Sequence, residues 1–276
     1  MKRSTGWVAL ALAVATGAGW QAVAQSSSPS KDARAPGAAP PARTSLGDGY
    51  FQVGPLPGSL RWSPAPPARG STAERRDIEA AQASLALRNS PRWELATRDA
   101  DLGLQATAGF SCAAGVAIGP ETTPKLDRLL RKSAANLGLS TWAIKNEYKR
   151  RRPFMVNGQS TCTPQIEQQL RADGSYPSGH SAIGFGWGLI LAELLPDRAA
   201  QLVTRGRAFG DSRRICNVHW LSDTEEGRIA AAATVARLHA EPAFRADLEA
   251  AREELRNAAS QPRDCAREEA ALAATR

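Results

Sequence analysis

Beyond residue 70 the chain is patterned for helices. Polar residues alternating with β-branched ones are scarce, alanine is abundant, and apolar positions fall at helical spacing, as in Phe244, Leu248 and Leu255. The punctuation agrees. Ser90-Pro91 and Thr123-Pro124 each pair a favoured N-cap with proline at the first helical position, where its missing N–H costs nothing. Ser140 can cap a helix over residues 141–151, which Pro153 stops because its ring clashes with the preceding turn. Ser178 can cap a long apolar helix to Leu195, Pro196 opens the next, and Pro242 opens the last. At ordinary helix lengths this predicts an all-α, single compact domain of roughly 8 to 10 helices.

Before residue 70 the pattern changes. Lys2 and Arg3 precede an apolar run, Trp7 to Ala15, too short to span a bilayer, and Ala22-Val23-Ala24 fits a small-residue cleavage site. Residues 1–24 therefore read as a secretory signal peptide cut near Ala24, which places the mature protein in the periplasm or outside the cell. Residues 25–48 are rich in Pro, Ala and Ser and have too few large apolar side chains to offset the entropy of ordering, so they read as a disordered tether. The all-α domain is expected over residues 49–276, with a C-terminal tail and with residues 50–67 lying as an irregular arm against the body. The most apolar later stretch, residues 182–195, is interrupted by Glu193 and falls short of the ~18 residues a span needs, so no membrane insertion of the mature protein is expected.

Charge and cysteines narrow the picture. The formal charge is +8, and losing Lys2 and Arg3 leaves +6 because residues 1–24 contain no Asp or Glu, which favours acidic substrates through long-range attraction. Cys112, Cys162, Cys216 and Cys265 are an even set in an exported chain and suggest two disulfides. None of them lies in a C-x-x-C turn, which argues against a zinc site. Of the three connectivities, Cys162 with Cys216 is preferred, since it would tie the loop after Arg152 to the segment before His219, leaving Cys112 with Cys265.

Of only three histidines, His180 and His219 sit in short blocks rich in cations, Ser, Gly and Asp. Lys145 and Arg152 are seven apart, so on one helix they lie two turns apart on nearly the same face and can converge on an anion. The plainer reading is a solvated basic face shared with Lys149, Arg150 and Arg151. Nucleic acid is not an expected partner, because no aromatic residues interleave the run to stack on bases. Pro177-Ser178-Gly179-His180 opens a helix whose free N–H groups and dipole suit an anion, although Ser178 is also simply the favoured cap. His219 and Asp223, at i and i+4, can share a helical face on which the carboxylate holds one ring nitrogen and leaves the other nucleophilic. Arg213 falls on a different face from His219, so the chain must bend between them, and Cys216 and Asn217 mark a plausible place. His239 has no such companions and reads as structural.

Taken together, Lys145-x6-Arg152-Pro153, Pro177-Ser178-Gly179-His180 and Ser212-Arg213-x5-His219-x3-Asp223 match every position of the signature of the type 2 phosphatidic acid phosphatase superfamily, which this chain resembles. Arg-Pro-Phe at 152–154, Ser-Thr-Cys at 160–162, Gly-Ser-Tyr-Pro-Ser-Gly-His at 174–180 and the stretch from Leu238 to Phe244 resemble, within it, the bacterial class A non-specific acid phosphatases. That resemblance implies hydrolysis of phosphate monoesters such as nucleotides, sugar phosphates and aryl phosphates, without metal or other cofactor. His219 would attack phosphorus with Asp223 fixing its tautomer. His180 would protonate the leaving alcohol and then activate water, while Lys145, Arg152, Arg213, Ser178 and the Gly179 N–H bind the phosphate oxygens. A vanadium-dependent haloperoxidase and a periplasmic phosphate-binding protein are the competing readings. The sequence does not set the oligomeric state, for which a homodimer is one candidate.

Overall fold

The computed structural model describes residues 47–51, 59–258 and 265–274. The expected signal peptide and all but two residues of the expected tether lie outside them. Helices form largely where the caps place them. α1 (Thr72–Leu85) starts at Ser71, whose hydroxyl accepts the Glu74 N–H, and α2 (Pro91–Asp99) starts at Ser90, whose hydroxyl accepts the Trp93 N–H. α3 (Pro124–Leu139) begins with its proline as expected, but the Thr123 hydroxyl donates to the Ala117 carbonyl instead of capping. There follow α4 (Trp142–Tyr148), α5 (Gly179–Leu194), α6 (Ala199–Ile215), α7 (Leu221–Leu238) and α8 (Pro242–Arg256). Beyond the helix expected to be last, Ala266–Ala273 forms α9, tied to the body by the Cys112–Cys265 disulfide. Shorter helical turns fill the connections, and no β-strand occurs among the described residues. The fold is all-α.

α5 is apolar nearly all round, so it takes the centre, packed by α6, α7 and α3. Glycines let its neighbours approach closely. A Cβ on Gly206 of α6 would stand 2.7 Å from the Gly184 carbonyl oxygen, and one on Gly227 of α7 would stand 2.5 Å from that of Ser178. Both contacts would clash, so these glycines set how near the N-terminal end of α5 comes to the chemistry-bearing ends of α6 and α7. In the core Phe110, Trp187 and Phe209 pack edge-to-face or tilted at 5.8–5.9 Å between centroids, with the Trp187 indole N–H donated to the Leu130 carbonyl at 2.7 Å. A smaller apolar cluster of Ala96, Phe154, Ile215 and Val218 surrounds the Cys162–Cys216 disulfide and underlies the segment that carries His219. The expected arm docks at Tyr50, whose ring meets Phe244 edge-on and whose hydroxyl donates to Asp247 at 2.8 Å, but it is not irregular throughout, since Ser59–Trp62 forms a helical turn. Among the described residues no helix is long and apolar enough to cross a membrane.

One expected helix is cut short. The helix predicted over 141–151 spans only Trp142–Tyr148, and the Ser140 hydroxyl, rather than capping it, donates to the Leu137 carbonyl at the end of α3. Lys149 takes a left-handed φ of 44° and ends the helix. The reason is tertiary: the Arg150 carbonyl accepts the Ser175 N–H at 2.9 Å, and the side chains of Arg150 and Arg152 turn inward, to the buried Asp77 and to the buried Val218 carbonyl, partners that a continuous helix would deny them.

Candidate active site

α6 ends at Ile215, and Asn217 turns the chain back with a φ of 62°, a conformation that asparagine tolerates better than most residues. The returning Val218 and His219 N–H groups donate to the Arg213 carbonyl at 3.1 and 3.3 Å. Cys216 sits in the same turn, disulfide-bonded to Cys162 across 4.8 Å between Cα atoms, so the expected bend and the preferred pairing are both present. His219 does not share a helical face with Asp223, however. α7 begins only at Leu221, and Asp223 in its first turn accepts the Trp220 N–H at 2.8 Å through Oδ2, the ordinary use of a short acid at a helix start. The same oxygen accepts Nδ1–H of His219 at 3.2 Å. Helix capping, rather than helical spacing, makes the pair.

This geometry fixes the tautomer. A carboxylate only accepts, and the Arg152 Nη1 that lies 3.1 Å from Nε2 only donates, so the His219 proton sits on Nδ1 and a lone pair on Nε2. Burial, followed by the charges of Arg152, Lys145 and Arg213, holds the His219 pKa well below the usual histidine value, and the ring is neutral. Burial also pushes the Asp223 carboxyl up; Arg150 is the foremost charge opposing that rise.

Three cations converge on the His219 ring. Lys145 donates through Nζ to the Gly174 carbonyl at 2.6 Å and lies 3.5 Å from Asp173. Arg152 donates to the Val218 carbonyl at 3.0 Å and pairs with Asp173 at 3.0 Å. Lys145 and Arg152 thus meet at a common anion although they occupy a helix and a loop rather than two turns of one helix. Burial and Arg152 bring the Lys145 pKa down to about 8. Arg213 is 1% exposed, and its Nε and Nη1 have no hydrogen-bond partner in the protein. Burial and Arg152 bring its pKa down to about 9.

The start of α5 closes the site. Ser178 caps the helix, its hydroxyl accepting the Ser181 N–H at 3.2 Å, and its own N–H donates to the Asp223 carbonyl at 2.9 Å. A Cβ at Gly179 would make only ordinary contacts, the nearest at 3.5 Å to Thr141, so packing within the protein does not demand glycine there. His180 Nε2 lies 3.0 Å from the Ala100 carbonyl, which can only accept, so the neutral ring carries its proton on Nε2 and keeps Nδ1 free for chemistry. Burial, then Arg213, lowers its pKa well below the usual histidine value.

All eight catalytic and phosphate-binding candidates lie on these converging segments, and His239 stands apart, paired with Glu193 at 3.1 Å and edge-on to Phe244. Sequence reasoning missed Asp173, the acid between Lys145 and Arg152. It also missed Arg150, which bridges Asp223 and the buried Asp77 at 2.7 Å each. Arg150 carries no local signal, because it looks like its solvated neighbours and its partner Asp77 lies on α1, far away in sequence. Among the described residues no group of three or more His, Cys, Asp or Glu is placed to hold a metal ion.

Residues 130–244 match the PAP2 superfamily. The chain is 41% identical over 194 residues to an acid phosphatase of Zymomonas mobilis, covering 70% of this chain and 74% of that protein. It is 43% identical over 194 residues to a non-specific acid phosphatase of Salmonella typhimurium, covering 70% and 78%. A non-specific acid phosphatase of Providencia stuartii is 39% identical over 198 residues, covering 71% and 80%.

Proposed function

Since this chain belongs to the PAP2 superfamily and is an acid phosphatase of its bacterial non-specific group, we propose that it is exported and hydrolyses a broad range of phosphate monoesters through a phosphohistidine on His219. The observation that carries this reading is the buried Arg213, which has two unpartnered donor nitrogens and is one of the three cations acting on a neutral histidine whose Nε2 keeps its lone pair. A buried guanidinium without a paired counter-charge is costly, and a phosphate group supplies both the charge and the acceptors.

Lys145, Arg152 and Arg213, with the Ser178 hydroxyl and the Gly179 N–H at the start of α5, bind the equatorial oxygens, where transition-state charge is spread. On arrival the phosphate draws Arg152 off Nε2, and that lone pair attacks phosphorus opposite the leaving oxygen. The P–O bond breaks as Nδ1–H of a protonated His180 donates to the departing alkoxide. The phosphoryl group on Nε2 leaves the imidazole cationic, a charge that Asp223 offsets through Nδ1–H. Water then loses a proton to His180 and attacks phosphorus, the N–P bond breaks, and phosphate leaves. In the phosphate-free site His180 is poorly basic, and an arriving anion beside Arg213 raises its proton affinity, which favours turnover at acid pH. The cationic side chains supply the charge stabilisation that a metal gives in other phosphatases, so the proposed reaction is metal-independent.

Export rests on the signal-like residues 1–24 and on the two disulfides, Cys162–Cys216 and Cys112–Cys265, which persist in oxidising compartments. The test is rapid quench during turnover into alkali, in which a phosphoramidate survives, followed by peptide mass mapping. Wild-type protein carries phosphate on the peptide containing His219 and His219→Ala carries none; a fully active His219→Ala protein contradicts the reading.

A further inference from the structure

The basic run at residues 149–152 holds one inward-turned cation that the reaction above does not use. Lys149 and Arg151 are exposed and Arg152 faces the phosphate, but Arg150 turns inward, its side chain 13% exposed, between two buried carboxylates. Its Nη1 donates to Asp223 Oδ1 at 2.7 Å and its Nη2 to Asp77 Oδ2 at 2.7 Å. Asp77, on α1, is itself held by the Ser222 N–H at 2.8 Å and the Ser222 hydroxyl at 2.6 Å. Asp223 spends its other oxygen on the Trp220 N–H and on His219. Arg150 therefore binds the oxygen that His219 does not use.

We infer, building on the reading of His219 as the nucleophile, that Arg150, anchored by Asp77, is a positioning residue that keeps Asp223 a carboxylate and so keeps the His219 lone pair on Nε2. A fully buried carboxylate tends to protonate, and a protonated Asp223 neither fixes the Nδ1–H tautomer nor offsets the charge on the phosphorylated ring. Asp223 is also faced by Lys145 from α4, by Arg152 and His219, and by the Tyr176 hydroxyl. Lys145 and Arg152 cannot do this duty through the cycle, because Asp173 shares them before phosphate arrives and phosphate takes them afterwards. The Arg150 fork spans two acids at once, which a lysine ammonium does not.

The test measures kcat/KM for p-nitrophenyl phosphate against pH in Arg150→Gln and Arg150→Lys, normalised to the folded fraction from circular dichroism. Losing the cation makes the His219–Asp223 pair easier to protonate, so the acidic limb of the profile moves to higher pH in Arg150→Gln, by about one pH unit or more. kcat falls on the order of a hundredfold. Arg150→Lys returns the limb toward the wild-type position while recovering kcat only in part. Should Arg150→Gln not fold, combining it with Asp77→Asn removes the second stranded carboxylate and the same shift is read there. An acidic limb unmoved in the folded Gln protein overturns the inference. Loss of the phosphohistidine from wild-type protein would instead overturn the nucleophile assignment beneath it.

Discussion

Arg205 and Arg213 lie roughly two turns apart on α6, each 1% exposed, and their surroundings are opposite. Arg205 is saturated: it grips Asp99 with two nitrogens at 2.6 and 3.1 Å, reaches Glu268 of α9 at 3.1 Å and the Gly109 carbonyl at 3.0 Å, and lies against Phe110 and Phe209. Arg213 has two nitrogens with no partner, and the strongest charge acting on it is another arginine, Arg152, opposed less strongly by Asp99. Burial works against both charges. For Arg205, Asp99 and Glu268 more than offset it and the pKa rises, whereas for Arg213 nothing does and the pKa falls. One helix thus holds a guanidinium that belongs to the fold and another whose counter-charge must come from outside. Burial alone does not separate them; the list of hydrogen-bond partners does.

The largest expected effect tests the first half of that contrast. Arg205→Met strands the buried Asp99 and leaves the half-buried Glu268 without its partner, and should cost about 3–5 kcal/mol of stability in urea denaturation. Its folded fraction should keep near wild-type kcat/KM. Arg213→Met should do the reverse, lowering kcat/KM by about 10²–10³-fold, or about 2.7–4 kcal/mol of transition-state stabilisation. Its urea midpoint should hold or rise, since an unpaired buried charge is gone. If both variants lost stability alike, the division of α6 would fail.

A third expectation follows from pH. Folding lowers the Lys145 pKa from 10.5 to about 8, so between those values the unfolded chain holds a proton that the phosphate-free fold has shed. This contribution makes the phosphate-free protein more stable as pH rises from about 8 towards 10.5, because the unfolded state binds more protons there. Phosphate needs the proton kept, so its affinity should fall over the same range. Calorimetric titration with inorganic phosphate from pH 6 to 10, beside thermal melts without it, should give these two opposite slopes. The smallest effect is at Asp173, whose side chain is 52% exposed while sharing Lys145 and Arg152. Asp173→Asn removes a competitor for those cations and should tighten inorganic phosphate binding by about two- to fivefold, the scale of an exposed ion pair. Weaker binding would make Asp173 part of the phosphate site rather than its rival.

What could be read from the sequence was whatever is local. Caps at Ser90 and Ser178, helix-opening prolines, the bend at Cys216 and Asn217 and the blocks around His180 and His219 each depend on neighbours in the chain. The end of α4 at Tyr148 was hidden because Lys149 adopts a left-handed conformation without the glycine or asparagine that usually announces one. His219 and Asp223 were paired correctly for a reason that proved different, since a capping carboxylate and a helical i, i+4 partner have the same spacing. Asp77 and Glu268 were beyond reach, because their partners at Arg150 and Arg205 lie on other elements and polar helices carry no pattern that marks which acid turns inward to a distant cation.

The central claim is that the open nitrogens of Arg213 are where phosphate binds. Nitrogen-15 NMR of the arginine side chains, with Nε–H resonances assigned by Arg→Lys substitution, tests it directly during titration with inorganic phosphate at pH 6. The Arg213 Nε–H resonance should move along a single saturable isotherm, while that of Arg205, already paired, stays in place. An Arg213 resonance that stays unmoved at saturating phosphate would contradict the account.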